Sequence, residues 1–136
     1  MQLISVLKKE FQSKDSSNNG ASEVVYRTYH SRNGSFLEKE DDGGKFQILR
    51  YVDDCSKTAL MTTPEILKLI EDVGIVIDES KNDNEICNHL KEIVFLCKLC
   101  IWNDEDFYLE ISPWGADLNT YPSDLPEQYR FNISSL

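Results

Sequence analysis

The stretch HSRNGSFLEKEDDGGKFQILRYV, His30 to Val52, decides how the rest of the chain is read. Asn33-Gly34 is a strong hairpin signal, because a type I′ turn needs positive φ at both central residues and Asn-Gly supplies it at low cost. Val24, Val25, Tyr26 and Tyr29 precede it as a β-rich segment, and Phe36-Leu37 returns. EDDGG (40–44) then makes a second turn, and KFQILRYV (45–52) alternates with the period of a third strand. Together these segments predict an antiparallel meander over about 23–52.

Upstream, Leu3, Ile4, Leu7 and Phe11 recur at helical spacing and predict an amphipathic helix over 2–14, followed by the polar loop DSSNNGAS (15–22). Downstream the period changes. Thr63-Pro64-Glu65 places a capping hydroxyl before a proline whose missing N–H costs nothing in a first turn. Ile66, Leu67, Leu69 and Ile70 follow, with Gly74 where a left-handed cap would end the helix and IVID (75–78) as a short strand. Asp83 or Asn84 caps a longer helix with the stripe Ile86, Leu90, Ile93, Val94, Cys97 and Ile101. Phe95, Leu96, Leu99 and Cys100 make its last turns apolar nearly all round, which predicts a buried end or a strand. FYLEIS (107–112) and QYRFNIS (128–134) read as strands joined by the proline-punctuated loop PWGADLNTYPSDLP. The expected fold is a single α+β domain over 1–136, an antiparallel sheet (the 23–52 meander plus C-terminal strands) packed by two or three helices.

A chain of 136 residues buries roughly two-thirds of its unfolded surface, enough for one core. With 40% hydrophobic and 10% aromatic residues the composition is globular, and no apolar run is long enough to span a membrane. Met1 to Leu7 carries no basic leader and is followed by Lys8, Lys9 and Glu10, which predicts a cytosolic protein with its four cysteines reduced. In that compartment the sequons at Asn33 and Asn132 carry no weight. With 24 acids against 14 bases the net charge is −10. Such a field opposes nucleic acid and anionic lipid and speeds encounter with a basic protein. It also serves solubility alone.

Cys97-Lys98-Leu99-Cys100 has the spacing of a redox CxxC, but a reactive pair opens a helix where the dipole lowers the thiol pKa, and this pair lies near a helix end. Zinc by Cys87, His89, Cys97 and Cys100 requires side chains that helical rotation sends about 200° apart at 87 and 89. Packing as small hydrophobes is the expectation for these thiols. His30 ends a strand beside a turn and His89 falls on the polar side of the long helix, so neither is expected to be catalytic. Asp41-Asp42, Asp53-Asp54 and Asp104-Glu105-Asp106 sit in turns, where Asp bonds backbone. Neither NDED nor EDDGG follows a calcium-loop pattern, and no glycine loop suits a phosphate. No catalytic residue, cofactor or metal is expected.

One region departs from this plainness. From Leu99 through Tyr129 there is no lysine or arginine, while seven acids alternate with six aromatics. Rings anchor interfaces, and one-sign charge around them selects the opposite sign. The expected partner-binding residues are Trp102, Asp104, Glu105, Asp106, Trp114, Asp117, Tyr121, Asp124 and Glu127, with Trp114 held in a loop by Pro113 and Gly115.

In length, acidity, acidic–aromatic face and lack of a catalytic signature, the chain resembles small acidic immunity proteins of bacterial toxin–immunity pairs, including those of contact-dependent inhibition. That resemblance implies a stoichiometric inhibitor, monomeric rather than dimeric, that covers the active site or basic groove of a toxin domain, often a nuclease. A helix followed by three strands also resembles type III secretion chaperones, although Pro122, Pro126 and QYRFNISSL do not supply their terminal helix. A thiol, zinc or histidine–carboxylate enzyme is the expectation from a different class.

Overall fold

A computed structural model of the chain describes residues 2–9, 24–40 and 44–113. Within them the order is β1 (Leu3–Lys8), β2 (Val24–Tyr29), α1 (Asn33–Leu37), a 3-10 turn (Leu49–Tyr51), β3 (Thr58–Leu60), α2 (Thr63–Glu79), α3 (Asn84–Trp102) and β4 (Phe107–Ser112). The strands form one antiparallel sheet in the order β2-β1-β4-β3. The architecture is α+β, as composition and period had indicated.

β1 takes the place of the first part of the helix expected over 2–14; residues 10–14 and the loop expected over 15–22 lie outside the described residues. Ile4 pairs with Thr28 on one side and Ile111 on the other, and Val6 with Tyr26 and Leu109. A central strand buried on both faces reads as a continuous apolar run, and Leu3, Ile4, Val6 and Leu7 are all buried. Such a run matches a helical template as readily as a strand, so periodicity alone could not choose. Ile4, Val6, Leu60, Leu109 and Ile111 present the sheet's inner face to the core built with α2 and α3.

Among the described residues the meander over 23–52 is not formed, and β2 is the only strand within it. Asn33-Gly34 opens α1 instead of turning a hairpin, and Phe36-Leu37 lies in that helix. The Asn33 side chain is taken by tertiary bonds: Nδ2 donates to the Gln2 carbonyl at 2.8 Å and Oδ1 accepts from His89 Nε2 at 2.7 Å. The segment 45–52 is not a strand either. The buried Asp72 carboxylate accepts the N–H groups of Gln47 (3.1 Å), Ile48 (2.7 Å) and Leu49 (3.0 Å), which winds the backbone into the 3-10 turn. Phe46, Ile48, Leu49 and Val52 still reach the core. Of EDDGG, Gly44 carries the positive φ of 81°; residues 41–43 lie outside the described residues.

α2 starts as its sequence indicates, one residue earlier. Thr62 caps it by accepting from the Glu65 N–H and donating to the Glu65 carboxylate, with Pro64 in the first turn. It does not stop at Gly74. Ile66, Leu69, Val73 and Val76 continue one buried stripe through residues 75–78, so the expected IVID strand is helix. A glycine costs a helix about 1 kcal/mol, less than the burial of one further valine, about 1.5–3 kcal/mol. Asp83 caps α3 through the Ile86 N–H at 3.2 Å. α3 is helical to Trp102, with Ile86, Leu90, Ile93, Cys97 and Cys100 buried.

Candidate protein-docking surface

The end of α3 expected to be buried is buried on one side only, with Leu96, Cys97 and Cys100 enclosed and Leu99 half-buried. Phe95 is 53% and Trp102 78% exposed, two turns apart on the solvent side of a helix whose other side is packed. Tyr26 of β2 meets the Phe95 ring edge-on at 6.5 Å. Spacing could have found Phe95 beside Trp102, but the apolar residues around it masked the face.

Trp102 leads into a turn that is firmly held. The Asn103 carbonyl accepts from the N–H groups of Asp106 (3.1 Å) and Phe107 (2.9 Å), and the Lys9 N–H bonds the Asp106 carbonyl at 2.6 Å. Lys9 Nζ donates to the Asp104 carbonyl at 2.6 Å, and Thr63 donates to the Asp104 carboxylate at 3.0 Å. Asn103 Nδ2 reaches the Asp106 carboxylate at 3.3 Å. Asp104 and Glu105 are exposed and Asp106 is half-buried. Thus Trp102, Asp104, Glu105 and Asp106 form one pre-set surface. Trp114, Asp117, Tyr121, Asp124, Glu127 and the segment QYRFNIS lie outside the described residues.

The cysteines of α3 pack as small hydrophobes. Burial pushes the Cys100 thiol up to about 12 and Cys97, with Cys100 beside it, further still, so neither forms a thiolate near neutrality. Cys87 donates to the Ser80 carbonyl at 3.1 Å. Among the described residues no three His, Cys, Asp or Glu side chains converge on a metal-sized site. Cys55 is exposed, and its thiol is raised by its hydrogen bond to Asp54 and the charges of Asp54 and Asp53.

His89 does not lie on a polar face; it is 1% exposed, and His30 6%. Their rings lie against each other, tilted by 36°, with centroids 5.2 Å apart. His30 Nδ1 accepts the Arg32 N–H at 3.1 Å, which leaves Nε2 to donate to Glu85 at 2.9 Å. His89 Nε2 donates to Asn33, and Thr28 donates to Glu92 at 3.2 Å. His89 Nδ1 is buried without a hydrogen bond, 3.6 Å from the Glu92 carboxylate. This cluster, unsuspected from sequence because its members are far apart, ties β1, β2 and α1 to α3. A general base must reach a substrate proton, and both imidazoles are enclosed.

Beside it, an open depression of about 290 Å³ is lined by Arg32, Phe36, Glu79, Ser80, Asn82 and Asp83. Its charges are already spent: Arg32 pairs with Asp83 at 2.9 Å and Glu79 with Lys45 at 2.5 Å. No helix among the described residues is long and apolar enough to cross a membrane. No family model, curated protein or solved structure matches the chain.

Proposed function

We propose that this chain is a stoichiometric protein inhibitor of the immunity type, which binds and neutralises a toxin domain with a basic, nuclease-like surface. The observation that carries it is Trp102: an amphipathic ring 78% exposed at the end of a packed helix, beside carboxylates on a turn pinned by Lys9 and Thr63. A rigid aromatic anchor loses little entropy on binding, and the carboxylates around it steer a cationic partner. The net charge of −10 acts in the same direction at long range. Trp114, Asp117, Tyr121, Asp124 and Glu127, which lie outside the described residues, are proposed to contact the same partner. Against the chaperone alternative, among the described residues the first segment is a strand and residues 45–52 are not one. The thiol-enzyme alternative is less well supported, since Cys97 and Cys100 are both buried.

The test is purification together with the protein encoded immediately upstream of its gene. A one-to-one complex that suppresses that protein's toxic domain is expected. Trp102→Ala should then weaken binding by about 2 kcal/mol, roughly 30-fold, while leaving the fold intact. Association should slow as salt is raised, because exposed charges are screened. An upstream protein without toxic activity, no complex, or a salt-insensitive association rate would each count decisively against the proposal.

A further inference from the structure

The His30–His89 cluster contains a site that the docking surface does not use, and its hydrogen bonds fix where the protons sit. Asn33 Nδ2 donates to the Gln2 carbonyl, so Asn33 Oδ1 faces His89 and His89 Nε2 carries the hydrogen between them. In the neutral ring the bare nitrogen is then Nδ1, which is buried and has no hydrogen bond among the described residues. It faces the Glu92 carboxylate at 3.6 Å, so two electron-rich groups stand opposite each other with no hydrogen between them. The same carboxylate oxygen accepts from Thr28 at 3.2 Å. A proton on Nδ1 turns this opposition into a charge-assisted bond and breaks none of the bonds already made.

His30 is placed differently. Its Nδ1 accepts the Arg32 N–H and its Nε2 donates to Glu85, so both nitrogens are engaged in the neutral ring. A proton on His30 Nδ1 must displace the Arg32 N–H, and beside a charged His89 it would set two cations 5.2 Å apart. The surrounding charges favour one proton over none. α3 brings Glu85 and Glu92, and its cap Asp83 pairs with Arg32 at 2.9 Å. β2 contributes the neutral Thr28 and α1 the neutral Asn33. Ahead of β1 stands the neutral Gln2, bonded in turn to Glu38. Glu92 is 19% exposed, which gives the enclosed ring a route to solvent protons.

We propose that His89 is a buried proton-binding site: a proton taken up at Nδ1 pairs with Glu92 and fixes that carboxylate where Thr28 of β2 bonds it, while His30 is protonated only at the expense of its bond to Arg32. The seam between α3 and β2 thereby responds to pH in the range where histidine changes charge. The proposal does not rest on the inhibitor function, and its test needs no partner.

NMR of the 15N-labelled full chain, followed from about pH 9 to about pH 5, reads the ring nitrogens of both histidines. At high pH both rings should be the Nε2–H tautomer, and on acidification His89 should gain its proton on Nδ1 before His30 does. Glu92→Gln offers Nδ1 an amide N–H and keeps an oxygen for Thr28, so it satisfies the neutral ring and deprives the charged one of its carboxylate. The His89 midpoint should then fall by about one pH unit or more, at least a tenfold loss of proton affinity, with His30 moving less. In urea unfolding, Glu92→Gln should match the wild type at high pH and fall behind it as pH drops, because the wild-type fold then binds the extra proton. An Nδ1–H tautomer in the neutral His89 ring, His30 protonating first, or a His89 midpoint unmoved by Glu92→Gln overturns the proposal. If Glu92→Gln disturbs the fold, the tautomers and the order of protonation in the wild type decide alone.

Discussion

Asp72→Ala should be among the most damaging single substitutions in this protein. The carboxylate is 0% exposed and holds three consecutive backbone N–H groups, two of them in fully buried bonds to Ile48 and Leu49. A buried donor left without a partner costs about 1–3 kcal/mol. With Ile48 and Leu49 both orphaned and Gln47 partly rescued by water, the loss should come to about 3–5 kcal/mol. That is a large fraction of the about 5–15 kcal/mol that holds a typical domain together. Asp72→Asn keeps one acceptor oxygen but turns an amide N–H₂ toward a backbone donor, so about 2–3 kcal/mol is expected. Urea unfolding followed by circular dichroism measures both, with the midpoint falling and the slope unchanged if only the native state is affected. A loss below about 1 kcal/mol for Asp72→Ala would refute the idea that this carboxylate shapes the 45–52 segment.

Thiol labelling of the folded protein near neutral pH should modify Cys55 alone, slowly, and faster as pH rises toward its elevated pKa; Cys97 and Cys100 should react only on unfolding. Rapid native-state labelling of Cys100, read by peptide mass, would place it outside the core. Asp83 is held below the usual carboxylate range by its bonds to Arg32 and to the Ile86 N–H. It binds its proton less tightly folded than unfolded, so its stabilisation is present at neutral pH and disappears as pH falls through the lowered value. The acid limb of the stability curve should accordingly be shallower in Asp83→Ala than in the wild type, and identical limbs would contradict the cap.

Local signals proved reliable where the stabilising interaction is itself local. The cap–proline start near Thr62–Pro64, the Asp83 cap and the stripe from Ile86 to Cys97 all operate within about one helical turn, and these helices begin where the sequence indicates. β2 and β4 also lie where β-rich runs stand. The candidate site was half legible. Trp102 and the Asp104–Asp106 turn were visible as an aromatic amid acids, whereas Phe95 and Tyr26 were hidden because exposure of an apolar residue depends on what packs nearby.

By itself, then, the sequence determined the α+β class, the two long helices' starts, the burial of the α3 cysteines and the acidic field. Tertiary structure alone decided that Leu3–Lys8 is the central strand, since pairing with Thr28 and Ile111 supplies both its edges. It decided likewise that Asn33 serves His89 and Gln2 instead of a hairpin, and that Asp72 rather than a neighbouring strand satisfies residues 47–49. The physical reason is common to all three. A backbone or buried polar group must find a partner, and where that partner lies tens of residues or more away, no local pattern records which one it will be.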